Sequence, residues 1–205
     1  MDNNNELSLS LMGSSENLIT WGAILARKGF TLGGIYMPTH CEALASVLLL
    51  GCPAYSSCQE TAETGGILFL EDNYFNTLSQ VEKQQILETK ALEAVVFTHF
   101  DGTAQTDNAE EKAQNIGAEF VDSCLNNTAE IHGCELYYLQ INGCLPSIGK
   151  DIVRVDEVCA GQPHEPIPTE DYPLSCSEVS FVLRPLRGVG CREENIGHIL
   201  KTVLL

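Results

Sequence analysis

The chain has 205 residues, 44% of them hydrophobic, with aliphatic runs along most of its length, enough for a sizeable domain with its own core. Eleven lysines and arginines stand against 28 aspartates and glutamates, and a net charge of −17 repels a phosphate backbone and argues against a nucleic-acid partner. The start (MDNNNELSLSLMGSS) lacks a basic and apolar leader, the longest apolar run (ALASVLLLG) is too short for a bilayer, and nine cysteines without a CxxC read as reduced thiols. The expectation is therefore a cytoplasmic protein with no membrane contact and no metal site.

Residues 1–12 read as a polar N-terminal tail. Gly13, Ser14 and Ser15 then open a helix over 18–28, which has apolar side chains at helical spacing and stops at Gly29. Amides and hydroxyls at such an N-terminus either cap the helix or hold a phosphate. A short buried strand follows at 34–38, ended by a proline, and then a helix over 41–50 closed by Gly51-Cys52-Pro53. Residues 54–55 start another strand, and 56–66 is polar and reads as a loop or insertion.

Next come a strand at 67–70 and a helix at 77–88. Strands at 94–98 and 118–121 enclose a helix over 109–116, and the second strand delivers Asp122 at its C-terminal end. An acid at that place is a candidate ligand contact in an open sheet, or an ordinary cap or turn residue. His99, Asp101 and Asp107 gather around the end of the 94–98 strand, where they suit acid–base work or a metal as well as turn chemistry.

Two further strands are expected at 135–141 and 152–155, joined by the turn NGCLPSIG. The stretch GQPHEPIPTED, with three prolines, is a linker, and SFVLRP and EENIGHILKTVLL give a last strand and helix. Short apolar strands separated by helices predict an α/β fold with a mostly parallel sheet and helices on both faces. The domain spans 13–158, and 159–205 is a Pro-rich linker with a C-terminal strand and helix.

Taken in order, GSSENLITWG through GCPAY, then TKALEAVVFTHFDG, a helix and EFVDSC, and finally NGCLPSIGKDIVRV resemble the large domain of sugar aminotransferases of the DegT/DnrJ/EryC1/StrS family. Those are pyridoxal-phosphate enzymes of the aspartate-aminotransferase fold. The resemblance implies that Asp122 pairs with the cofactor's pyridine nitrogen, that Gly13, Ser14 and Ser15 hold its phosphate, and that His40 stacks on its ring. The family's Schiff-base lysine has no counterpart in VRVDEVCAGQPHEPIPTED. There His164 stands nearest to the histidine of the pyridoxamine-phosphate sugar dehydratases. What the resemblance implies is a truncated or degenerate transferase, a pseudoenzyme of sugar biosynthesis. It would bind pyridoxal or pyridoxamine phosphate and a nucleotide-linked keto sugar, as a homodimer.

Two other readings stay open. ILARKGFTLGGIYMPTHCEALASVLLLGCPAY is similar to the N-terminal region of acyl-adenylating (AMP-binding) enzymes, although LRPLRGVGCREE stands where their phosphate loop belongs. A non-catalytic association domain, docking through the apolar ILKTVLL, is the other.

Overall fold

The computed structural model describes residues 8–39, 50–102, 109–125, 134–143, 145, 180–186 and 195–204. They form strands β1 (Ser8–Met12), β2 (Thr31–Tyr36), β3 (Gly66–Glu71), β4 (Leu92–Asp101), β5 (Glu135–Asn142) and β6 (Ser180–Pro185). The helices are α1 (Glu16–Arg27), α2 (Cys58–Glu63), α3 (Asp72–Thr77), α4 (Gln80–Leu87), α5 (Ala109–Leu125) and α6 (Asn195–Leu204).

The strands make a six-stranded sheet in the order β2-β1-β3-β4-β5-β6. Strands β1 to β5 are parallel, and β6 runs antiparallel along β5. The mostly parallel α/β sheet expected from the sequence is thus the observed fold. The chain enters at β1, moves outward to β2, then returns past β1 to β3 and proceeds the other way.

Alternation along the strands divides the core in two. Leu9, Leu11, Ile67, Phe69, Val96, Leu139 and Ile141 meet α1 (Leu18, Trp21, Leu25) and α6 (Ile196, Leu200) on one face. Met12, Leu68, Leu70, Val95, Phe97, Leu136 and Tyr138 meet Ala62, Phe75, Ile86, Ala113 and Ile116 on the other. Trp21 sits edge-on to Phe69, with ring centroids 6.2 Å apart, and ties α1 to the sheet.

Several expectations are corrected. Residues 8–12, read as tail, are the interior strand β1, between β2 and β3: Ser8 and Ser10 hide the pattern, yet Ser10 is fully buried and hydrogen-bonds Thr64 Oγ1. The strand expected at 118–121 is helix, because the apolar spacing 109, 113, 116 continues through Gly117, where an added Cβ would meet only Leu186 at 3.9 Å. Asp122 accordingly lies near the C-terminal end of α5 and not at a strand tip. The polar stretch 56–66 contains α2, capped by Ser57. The expected C-terminal segment is not separate from the sheet, since β6 pairs with β5 and α6 packs on the core. The expected strand at 152–155 and the linker at 161–171 lie outside the described residues, as does all but Leu50 of the helix at 41–50.

Candidate functional site

In an open parallel sheet, ligands bind beyond the carboxyl ends of the strands, where the winding direction reverses. Here that point lies between β1 and β3. β1 leads through Gly13, Ser14 and Ser15 into α1, whose N-cap Ser15 accepts at Oγ from the Asn17 amide at 3.2 Å. The Ser14 and Ser15 amides both donate to Glu71 Oε2, at 2.7 and 3.0 Å. An anion thus already occupies the helix N-terminus, and it is the chain's own carboxylate, only 5% exposed. Gly13 makes this closeness feasible: a Cβ there would lie 2.5 Å from Glu71 Oε2 and 2.8 Å from its Cβ.

The dinucleotide fingerprint G-x-G-x-x-G after such a strand would read Gly13, Ser15 and Leu18 at its three glycine positions. Only the first is a glycine, and Leu18 is fully buried against the sheet. The described end of β2 (Tyr36, Met37, Pro38, Thr39) carries no acid to meet a ribose hydroxyl.

The second half of the carboxyl edge is a column of polar side chains. Register pairs His99 with Gln140 and Asp101 with Asn142, so these four share one face, directly beyond Phe97 and Tyr138. Asp72, the residue after β3, meets His99 Nδ1 at 2.7 Å, while Lys112 Nζ of α5 lies 2.7 Å from His99 Nε2 and 3.8 Å from Asp101 Oδ2. A carboxylate can only accept and an ammonium can only donate, so the imidazole carries its proton on Nδ1 and offers the Nε2 lone pair to Lys112.

Gln140 Nε2 donates to Asn142 Oδ1 at 2.7 Å and to Asp101 Oδ2 at 3.4 Å. Beneath them, Tyr138 stacks on His99 with ring centroids 6.5 Å apart. Burial, then the Asp72 and Asp101 charges, push its phenol well above the ordinary tyrosine range. Among the described residues, Gln140 Oε1, Asn142 Nδ2 and Tyr138 OH are buried without a hydrogen-bond partner.

Of the residues singled out in the sequence, Gly13, Ser14 and Ser15 do open a helix at the carboxyl edge, and His99 and Asp101 belong to the polar column. His40, Asp107 and His164 lie outside the described residues, as does the side chain of Asp122. Sequence reading missed Glu71, Asp72, Lys112, Gln140 and Asn142. For all but Lys112 the signal was the polar residues closing two apolar runs, GILFLED and LYYLQIN.

The reversal at β1, with a glycine loop leading into a helix, defines a doubly wound, Rossmann-like domain. No family model and no curated protein matches the chain. It is similar to the solved structure of prephenate dehydrogenase from A. aeolicus in complex with hydroxyphenyl propionate and NAD+, with a TM-score of 0.50 and 11% identity over 98% of this chain and 57% of that one. Plasmodium falciparum pyrroline carboxylate reductase with NADP bound is also similar (TM-score 0.48, 11% identity, 99% of this chain and 55% of that one). So is an imine reductase from Bacillus cereus (TM-score 0.46, 14% identity, 70% and 43%). At these identities the likeness shows the fold alone, and the chain spans about half the length of the structures it matches.

The strand order and the likeness in fold to the prephenate dehydrogenase overturn the aminotransferase resemblance, and with it the transferase activity and the pyridoxal- or pyridoxamine-phosphate cofactor expected from it. They equally give no support to the acyl-adenylating or association-domain readings. The quoted motifs misled because a loop, helix and strand in series are common to many α/β architectures, whereas strand order separates them. No described helix is long and apolar enough to cross a membrane.

Proposed function

We propose that this chain is the dinucleotide-binding part of an NAD(P)-dependent oxidoreductase. The observation that carries the reading is the reversal of winding at β1, which sets the Gly13–Ser15 loop and the α1 N-terminus in the crevice such ligands use. The Glu71 contact supports this reading. Two backbone amides already converge on an anionic oxygen, so the cradle has the donors and polarity that a phosphate requires. Ser14 and Ser15 would hold that phosphate, with Gly13 leaving room for it, once the Glu71 carboxylate swings away. The nicotinamide, when bound, supplies hydride chemistry.

Glu71 therefore competes with the ligand for the same amides. Hydrogen bonds to a charged acceptor are each worth about 1.5–3 kcal/mol, so vacating one such site corresponds to a gain of roughly tenfold to a hundredfold. The test is a calorimetric titration of NADPH and NADH into the wild type and Glu71→Ala. Weak binding by the wild type and at least about tenfold tighter binding by the variant are expected. Absence of binding by both proteins at millimolar dinucleotide would sink the reading.

A further inference from the structure

The polar column beyond β3, β4 and β5 has the arrangement of an activated nucleophile. Covalent catalysis through an amine needs three parts: the amine, a base within hydrogen-bond reach, and a group that fixes the base's tautomer. Lys112 Nζ, His99 Nε2 and the Asp72 carboxylate meet this in sequence, with both links at 2.7 Å. We propose that Lys112 is a carbonyl-capturing amine, activated by His99 and oriented through Asp72, which forms a reversible Schiff base with an aldehyde or ketone at the carboxyl edge of the sheet. The proposal goes beyond dinucleotide binding and needs none of it.

Three observations favour a working site over a structural ion cluster. First, Lys112 sits in the first turn of α5, where the helix dipole disfavours a cation, so its placement follows from its contacts and not from helix stability. Second, its side chain is 34% exposed while His99 and Asp72 behind it are 15% and 8% exposed, so the amine is the part of the triad a ligand can reach. Third, Gln140 Oε1 and Asn142 Nδ2 end in the same column, buried and unpartnered among the described residues, one an acceptor and the other a donor. Groups left unsatisfied at that depth are costly unless something supplies their partners, and a polar carbonyl compound does.

The step balances without an outside reagent. The Lys112 ammonium passes a proton to His99 Nε2, and the imidazolium so formed keeps its Nδ1–H on Asp72. The freed nitrogen lone pair attacks the carbonyl carbon while the C=O π electrons move to oxygen, which takes the proton back from Nε2. The resulting carbinolamine expels water, using one of the nitrogen's protons, and leaves a protonated imine. An ammonium and a carbonyl become an iminium and one water, and His99 returns to its starting state.

The test uses the intact chain with propionaldehyde and sodium cyanoborohydride, and reads propylation of each lysine by peptide mass spectrometry. Lys112 should be trapped faster, by about tenfold or more, than Lys28, Lys90 and Lys201, which are all exposed. His99→Gln should bring Lys112 down to or below their rate while leaving theirs unchanged, and Asp72→Asn should lower it in part. Nitrogen-15 NMR of the histidines should place the His99 proton on Nδ1. Trapping of Lys112 in the wild type at or below the surface rate overturns the proposal, and that comparison does not depend on whether a variant folds.

Discussion

Two adjacent acids at the end of β3 face different parts of the carboxyl edge. Glu71 turns to the loop after β1, and Asp72 turns to His99 on β4, because consecutive residues leaving a strand point to opposite faces. The Glu71 contact depends on Gly13. A Cβ there would press on Glu71 Oε2 and Cβ at 2.5 and 2.8 Å and on Leu18 Cδ2 at 3.0 Å. Gly13→Ala is thus expected to cost about 1–3 kcal/mol in urea unfolding, the usual range for overpacking. The double variant Gly13→Ala/Glu71→Ala should recover much of that loss, since two of the three contacts belong to Glu71. Additive costs in the four-member cycle would show that the glycine serves some other purpose.

At the scale of elements, α6 illustrates how a helix without an acid in its first turn is still anchored. Its leading amides are held by β5: Ile196 N–H donates to Glu135 Oε2 at 3.1 Å and Gly197 N–H to Tyr137 Oη at 3.0 Å, while the Tyr137 hydroxyl donates to Glu135. Tyr137→Phe leaves a buried amide unpaired and should lower stability by about 1–3 kcal/mol. Hydrogen exchange should show α6 amides opening faster than those of α1, and equal loss of protection in both helices would contradict the anchoring role. None of this link was legible in the sequence, because Glu135 and Tyr137 lie some sixty positions before the helix they cap. Strands β3, β4 and β5 were legible, since their apolar runs are long and flanked by polar residues. β1 was not, because two serines break its run, and α5 was cut short because Gly117 resembles a stop. The site followed the same rule: His99 and Asp101 showed as polar residues ending an apolar strand, whereas Lys112 joins them only through the packing of α5.

For the whole molecule, strand order was the decisive property, and it is a long-range one that local pattern cannot carry. Charge and burial act over the same scale and set the response to alkali. Burial pushes the Cys52 thiol up to about 11, and it also raises the Cys58 thiol and the Tyr74 and Tyr138 phenols. In an unfolded chain thiols ionise near pH 8.5 and phenols near 10. Each raised group therefore contributes stability that is complete below its unfolded pKa and declines as pH climbs towards its folded one. The unfolded state sheds protons that the folded state keeps, so unfolding free energy should begin to fall near pH 8.5 and drop more steeply above about 10. Cys52 alone accounts for a loss on the order of 2 kcal/mol by pH 11. The net charge of −17 adds repulsion in the same direction, but added salt screens that part and leaves the buried thiol untouched. Urea unfolding from pH 7 to 11 in 0.5 M salt should thus show a falling limb that Cys52→Ala flattens between pH 8.5 and 10. A limb of unchanged slope in that variant would assign the alkaline loss to surface charge instead.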